Sequence, residues 1–579
     1  MEYPTLNVKQ NSRQMSDAFL GYNHNLRIGE TEFYDMKNMT SDYYPVLAPR
    51  KKRGVYREDV QATGIIAKGK LCYVDVPEFV IGDDRYDMEL FEGKKELISM
   101  GAYVIIMPDR KYINTVKPTD WGKIDAEYTS TGSVKFTMCT LTGENYSNAP
   151  ATPTAPDKPE DGDLWIDTSS VPNTLKKYSK STGQWVSITT TYVKIESEGI
   201  ANEFKQYDGV KLSGLTGDLE SLNGNHALWV ASEKENYIII AGILNQVTTQ
   251  TSAITVSRKM PTMDFIVESN NRLWGCRYGT NEDGDTVNEI YACKLGDFKN
   301  WNCFMNLSTD SYKVSCGTDG EFTGAITHLG YPLFFKENCV HKVYGDYPAN
   351  FRVQDTACRG VQRGSHRSLA IVNETLFYKS GNGVCAYDGS LPVEMSSALG
   401  EVRYSDAVAC GQGNKYYIDM KTADGVYHLF VYDTAKGMWH KEDDIRLDTL
   451  CEYNGEIYAV EHEKNQIVTL LGSGIVDSEK VPWMVESGLI GMSMPDMKYV
   501  SRLMVRMSLE IGADVTVSIQ YDSMGEWEKV CIMKSSSLRT FSVPVRPKRC
   551  DHFRIRIDGD GECRIYSITK TIEQGSDIS

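Results

Sequence analysis

Residues able to do chemistry are plentiful in this chain, but few stand at the spacing chemistry requires. The acidic turn NEDGD at residues 281–285, followed by Asn288, offers carboxylate and amide oxygens to a calcium ion. It lacks the Glu that closes a twelve-residue calcium loop, so the other reading is a polar loop between strands. Two carboxylates across a cleft could hydrolyse a glycoside, yet Asp and Glu crowd the loops and no pair stands apart. His24, His341, His366, His428 and His440 share no spacing. There is no GxSxG nucleophile elbow, no HExxH zinc helix and no GxxxxGK phosphate loop. No catalytic residue, metal ligand or cofactor-binding residue is assigned, and the expectation is a protein that is not an enzyme and carries no cofactor. One constellation is aromatic: Trp165, Tyr178 and Trp185 in GDLWIDTSS and LKKYSKSTGQWVSI. Three aromatics on a tiny sheet could stack on a sugar ring, or they are simply that sheet's core.

Cysteine chemistry gives no site either. The 14 Cys include no CxxC pair and no Cys/His group at zinc spacing. Cys276, Cys293, Cys339 and Cys385 sit inside alternating strands, where free thiols act as small hydrophobes. The pattern fits a chain made and kept in a reducing cytosol.

The elements that must position these residues are hairpins. Across residues 270–470 one phrase returns: an Asn or Gly turn, an alternating apolar strand, then a second strand. It reads NNRLWGCRYG answered by NEIYACKLGD, then LGYPLFFKENCVHKVYGD, VNETLFYKSGNGVCAYDGS, GNKYYIDMKTADGVYHLFVYDTAKGMWH and YNGEIYAVEHEKNQIVTL. Period-two alternation makes each a strand pair. A lone hairpin cannot bury its apolar face; a series of them can, and the starts lie about one four-stranded propeller blade apart. The fold class expected is all-β: a β-propeller of five to seven blades with an inserted β module and a C-terminal β-sandwich. An irregular sandwich built from the same hairpins is the alternative.

In chain order, residues 1–54 read as an extended N-terminal arm and 55–120 as the first blades. Residues 121–252 form an inserted β domain containing a small Trp-rich module at 148–190, which begins with a Pro-rich acidic loop. Residues 253–472 hold the remaining blades and 481–579 the sandwich, with strict alternation in its strands. Ring closure commonly pairs early and late strands, so the surroundings of Ile66 and Val460 are expected to share a blade. The Arg positions of RLMVRM (502–507) and HFRIRI (552–557) face away from the core, as a solvated or subunit-facing stripe rather than a nucleic-acid site. At 579 residues the chain is long enough for two to four domains. No run of about 18 apolar residues predicts a membrane span, and MEYPTLNVKQNSRQM has no apolar core of a secretory signal. A net charge of −16 argues against a surface devoted to duplex DNA, but permits an acidic lumen past which DNA slides.

The arm carries the most specific signal, NMTSDYYPVLAPRKKRG at residues 38–54. Through Asn38, Asp42, Tyr44, Pro45, Leu47, Pro49, Arg50, Arg53 and Gly54, together with the Tyr-Asp-Gly hairpins, the chain resembles structural proteins of tailed bacteriophages. It is similar to the propeller-containing tail nozzle (tail tube B, or stabilisation) proteins of short-tailed phages and related prophages. The aromatic segment likewise resembles a short phage tail module. The resemblance implies a virion tail component, assembled in the host bacterial cytoplasm, that forms a hexameric ring. That ring would contact the portal-adaptor and other tail proteins, pass DNA without specific binding and help retain the genome until ejection. Tyr43, Tyr44, Pro45, Leu47, Pro49, Arg50 and Arg53 are expected to be buried against a neighbouring subunit, so that removing residues 21–54 leaves a folded monomer. The basic run 50–53 could equally be a solvated turn. The alternative function is a receptor- or glycan-binding tail protein that holds a host surface glycan on Trp165, Tyr178 and Trp185.

Overall fold

A computed structural model of the chain describes residues 11–146, 149–476, 479–534 and 537–575. The first ten residues of the expected arm, and Asn148 at the start of the expected aromatic module, lie outside the described residues. The chain forms two compact units: Met1–Lys94 with Phe335–Val340 and Thr356–Ser579, and Lys95–Phe334 with His341–Asp355.

Blade-like meander sheets dominate. In the first unit these are Ala62–Lys68 to Asp84–Asp87, Ala370–Val372 to Val393–Glu394, and Tyr404–Gln412 to Met438–Lys441. A further one joins Leu447–Tyr453, Glu456–Glu461 and Gln466–Thr469 to Gly54–Arg57. In the second unit they are Glu96–Met100 to Trp121–Lys123 and Phe265–Ser269 to Tyr312–Ser315. One more sheet of the same order runs Phe322–His328, Tyr331–Lys336, Cys339–Tyr344 and Arg352–Ala357.

The recurring Asn/Gly phrase has a local cause. Asn270-Asn271, Leu329-Gly330, Asn373-Glu374 and Asn454-Gly455 all have positive φ and each turns the first hairpin of its sheet. Two consecutive left-handed residues make the tight turn whose twist matches a hairpin, and Asn or Gly adopts that conformation at least cost.

Sheets then bury their faces on one another. In the first unit Cys410, Tyr417 and Val431 meet Ile457, Ala459 and Val468, and Ile65, Leu71 and Tyr73 meet Val460 and Ile467. In the second, Trp274, Cys276 and Ile290 meet Phe322, Phe334 and Val343. Early and late segments do share a blade, but through Gly54 opposite Thr469 and Val55 opposite Val468. Ile66 belongs to the neighbouring sheet, which packs on Val460 through Ile65.

The insertion has its own core. Ala126–Thr129, Thr255–Arg258, Gly209–Ser213 and Gly224–Ala227 form one sheet, and the strands from Val134–Cys139 to Thr248–Gln250 another. Phe136, Val193, Ile195, Leu212, Ile238 and Val256 are buried together. Its bounds sit a few residues later than composition predicts, because Trp121–Lys123 completes a blade and Thr255–Arg258 pairs within the insertion. The aromatic module is a small sheet: Ala151–Thr152, Leu164–Asp167, Thr174–Ser179 and Gln184–Ser187.

The sandwich departs most from expectation. One sheet is ordered Asn11–Ser16, Cys563–Gln574, Lys498–Leu509, Arg539–Val543. The other contains Gly21–Tyr22 and Glu32–Lys37, followed by Pro482–Ser487, Phe553–Asp560, Val515–Tyr521 and Glu528–Met533. The N-terminal segment is therefore a strand donor to this domain rather than a projecting arm. Phe19, Tyr22, Phe33, Met36, Met39 and Leu47 enter the same core as Trp483, Val505 and Ile557. The strand Glu32–Lys37 is short and bulged between Phe33 and Asp35, which hides its period of two.

Candidate functional site

The residues that carry the sequence signature converge, and all of them within the first unit. Asn38 sits at φ 56°, a left-handed conformation that Asn tolerates better than most residues. From there its backbone N–H donates to the Glu442 carbonyl at 2.6 Å and its Nδ2 to the Pro482 carbonyl at 2.7 Å. Its Oδ1 accepts Arg50 Nε at 2.8 Å. Asn38 thus ties the segment to a blade and to the sandwich at once.

The two arginines continue the tie. Arg53 donates through Nη1 to Asp443 Oδ2 at 2.7 Å and through Nη2 to Asp443 Oδ1 at 2.9 Å and Glu442 Oε2 at 2.8 Å. Arg50 Nη2 reaches Asp443 Oδ2 at 3.1 Å. Burial opposes charge on Arg50, Arg53 and Asp443, but the partners win for the last two. Arg53 is held above its ordinary value by Asp443 and Glu442, and Asp443 below its own by Arg53 and Arg50. Arg50 is pushed down by burial and by its neighbour Arg53.

A second staple lies alongside. Ser41 Oγ donates to Asp433 Oδ2 at 2.5 Å, and Ser41 N–H donates to His440 Nε2 at 3.1 Å. Burial, with Lys415 nearby, pushes His440 down to about 3, so the ring is neutral and free to accept. Lys415 Nζ donates to Asp42 Oδ1 at 2.5 Å; burial raises the Asp42 pKa, yet this contact carries it below the usual carboxylate value. Leu47 and Ile565 exchange both backbone hydrogen bonds, at 3.0 and 2.9 Å. Pro49 is buried opposite Met39. Gly54 has no room for a side chain: a Cβ would run into the Ser473 carbonyl and Thr469 Oγ1.

Leu47, Pro49, Arg50 and Arg53, expected at a neighbouring subunit, are therefore engaged by their own chain. Tyr43 is half-buried under the Arg564 guanidinium, 4.5 Å from its ring centre. Tyr44, 41% exposed, and Pro45 remain on the surface.

The structure also brings Trp165, Tyr178 and Trp185 together. Tyr178 lies directly across from Trp185. The Trp165 and Trp185 rings meet edge to face at 5.4 Å and 66°, and Tyr178 and Trp185 at 5.3 Å and 60°. Trp165 is only 5% exposed and donates Nε1 to the Thr152 carbonyl at 3.0 Å. Stacking on a sugar needs an open ring face, and Trp165 has none; Tyr178 and Trp185 are half-buried. Lys176 covers Trp165 at 5.0 Å from the ring centre and pairs with Asp167 at 2.8 Å.

The acidic turn is committed to ion pairs. Glu282 pairs with Arg110 at 2.5 Å and Asp283 with Lys211 at 2.7 Å, while Asn281 Oδ1 accepts the N–H groups of Asp283 and Asp285. Among the described residues no group of three or more His, Cys, Asp or Glu is arranged to hold a metal ion. One pair escaped the sequence reading. His462 Nδ1 lies 2.7 Å from Asp448 Oδ2, in a cleft of about 570 Å³ shared with Lys94, Arg367 and Thr63. The carboxylate orients the imidazole; the lining includes neither Ser nor Cys, and the hydroxyl it offers is that of Thr63. The two residues stand 14 apart at the open end of one hairpin, Leu447–Tyr453 with Glu456–Glu461, and a register shift between Leu447 and Thr449 hides their alignment from a count of alternate positions.

These observations define an all-β protein of β-propeller type with an inserted β module and a C-terminal β-sandwich. No family model matches the chain, and no curated protein matches it. Solved structures overlap it weakly. U3-55K aligns at 8% identity over 53% of this chain and 90% of its own, with a TM-score of 0.24. The exo-β-1,3-galactanase of Phanerochaete chrysosporium aligns at 8% over 53% and 94%, TM-score 0.21. The Trypanosoma rangeli sialidase aligns at 9% over 91% and 96%, TM-score 0.20. Overlaps this low convey neither activity nor ligand.

Proposed function

We propose that the chain is a structural protein of a phage or prophage tail. Its copies form a closed ring of the nozzle type that continues the DNA channel below the portal and adaptor and helps hold the genome until ejection. One observation supports this above the rest. The signature residues 38–54 build no reacting centre; they clamp the N-terminal segment to a blade and to the sandwich, which is how a rigid block is made. A net charge of −16 suits a channel that DNA traverses without adhering. The ring is hexameric, sits in the virion tail and is assembled in the host cytoplasm. Light scattering and negative-stain micrographs of the full chain test the reading: closed rings with a central hole are expected. A chain that stays monomeric at high concentration overturns it, as does release of reducing sugar from host cell wall.

A further inference from the structure

The two outer faces of the sandwich differ in how their arginines are used. On the sheet containing Phe553–Asp560, Arg554 pairs with Glu486 at 2.7 Å and Arg556 approaches Asp558 at 3.7 Å. On the sheet containing Lys498–Leu509, the exposed Arg13, Arg502 and Arg506 make no ion pair among the described residues. Thr571 stands between Arg13 and Arg502 in register, so these two arginines are two strands apart, about 10 Å. Arg506 follows about 13 Å further along the strand.

A bulge creates this array. The register slips between Val500 and Arg502; Val500 and Leu503 are both buried, while Ser501 and Arg502 between them both face outward. Alternation counted on from buried Val500 would turn Arg502 into the core, and the extra residue restores the outward face that RLMVRM has by its own alternation. Met15, 63% exposed, and Met504 fill the spaces, opposite Thr569 in both cases. Arg and Met are enriched in protein contact surfaces, and Glu573, the carboxylate that follows Thr571 on this face, accepts the Tyr499 hydroxyl at 2.7 Å.

We propose that this arginine face docks on a carboxylate-bearing surface of a second copy of the chain. The occupant follows from charge: the chain carries 78 Asp and Glu against 62 Lys and Arg, so a cationic face finds its complement on another copy. Two such faces repel each other, so the contact is head to tail, the kind that closes into a ring. The inference rests on the ring reading above and names the surface that makes the ring.

The test is sedimentation of the full chain and of the Arg502→Glu/Arg506→Glu variant across concentration and salt. The wild-type oligomer should loosen as salt rises. The variant should dissociate at least tenfold more readily with an unchanged melting curve. Arg13→Glu, on a separate strand, should act in the same direction and serves if the double variant fails to fold. Unchanged oligomers in these variants overturn the face and leave the ring standing; a monomeric wild type overturns both. Labelled duplex DNA that binds the wild type and not the variant, with oligomers unaffected, assigns the face to nucleic acid and overturns the inference.

Discussion

Arg53 and Asp443 are joined by two parallel hydrogen bonds, Nη1 to Oδ2 and Nη2 to Oδ1, at 2.7 and 2.9 Å. Both side chains are largely out of water, 13% and 19% exposed. A planar fork fits a carboxylate in this way and a single ammonium does not. Since Gly54 begins the strand that completes a blade, the pair fixes the residue on which that strand starts.

Removing one partner from a buried ion pair leaves the other charge uncompensated, which costs about 3–5 kcal/mol. Arg53→Ala should lower the unfolding free energy of the first unit by that order, read from urea denaturation as an earlier midpoint. Arg53→Lys should recover only part of it, because the fork is lost. An Arg53→Ala chain with an unaltered unfolding curve would remove the clamp from the account.

Asp419 gives a pH signature. It is fully buried; Oδ2 accepts the Leu447 N–H at 2.8 Å, and Oδ1 has no partner. Burial raises it to about 7 from an ordinary 3.8. A carboxyl raised on folding stabilises the fold below its unfolded value, and that stability is lost as pH rises through the folded value. Asp419→Asn should therefore raise the melting temperature at pH 8 and leave it nearly unchanged at pH 4. Asp443, depressed on folding, has the opposite sign: its contribution is present above 3.8 and lost on further acidification. A pH-independent effect of Asp419→Asn would show that the side chain is ionised throughout.

Deleting residues 21–54 should not leave a folded monomer. The segment supplies Tyr22, Phe33, Met36, Met39 and Leu47 to the shared core and Gly54 to a blade. The expected product is insoluble or melts without a cooperative transition, read by circular dichroism. A soluble, cooperatively melting deletion would return the segment to the role of a detachable arm.

In the aromatic module, Trp165→Ala should destabilise by about 3–5 kcal/mol, as for a buried large aromatic, and free the strand backbone at Lys176 and Lys177 for cleavage by trypsin. Trp185→Ala, half-exposed, should leave the module resistant. On a glycan array the wild type and Trp185→Ala should read alike. Glycan binding that Trp185→Ala abolishes would favour the receptor-binding alternative.

What the sequence disclosed, and what it withheld, follows from the range of each interaction. Asn270-Asn271 and Asn454-Gly455 announce their hairpins because a turn is decided by two adjacent residues. Asn38 announces nothing of its task, since its partners Glu442 and Pro482 stand some 400 residues away. The bulge at Ser501-Arg502 is hidden too: alternation within RLMVRM places Arg502 and Arg506 outward, as they are, but nothing local shows the extra residue that joins this run to Val500. Composition groups Trp165, Tyr178 and Trp185, which do meet, but whether their rings lie open or closed on one another depends on packing angles.

The strand Gly54–Arg57 waits for Gln466–Thr469, and Asn11–Ser16 for Cys563–Gln574. On a ribosome both early strands emerge long before their mates exist. A prematurely released chain lacks the closing strand of a sheet and carries an open edge in its place. Such a shortened product is thus marked by its own topology: the unpaired edge is a template for pairing with another chain.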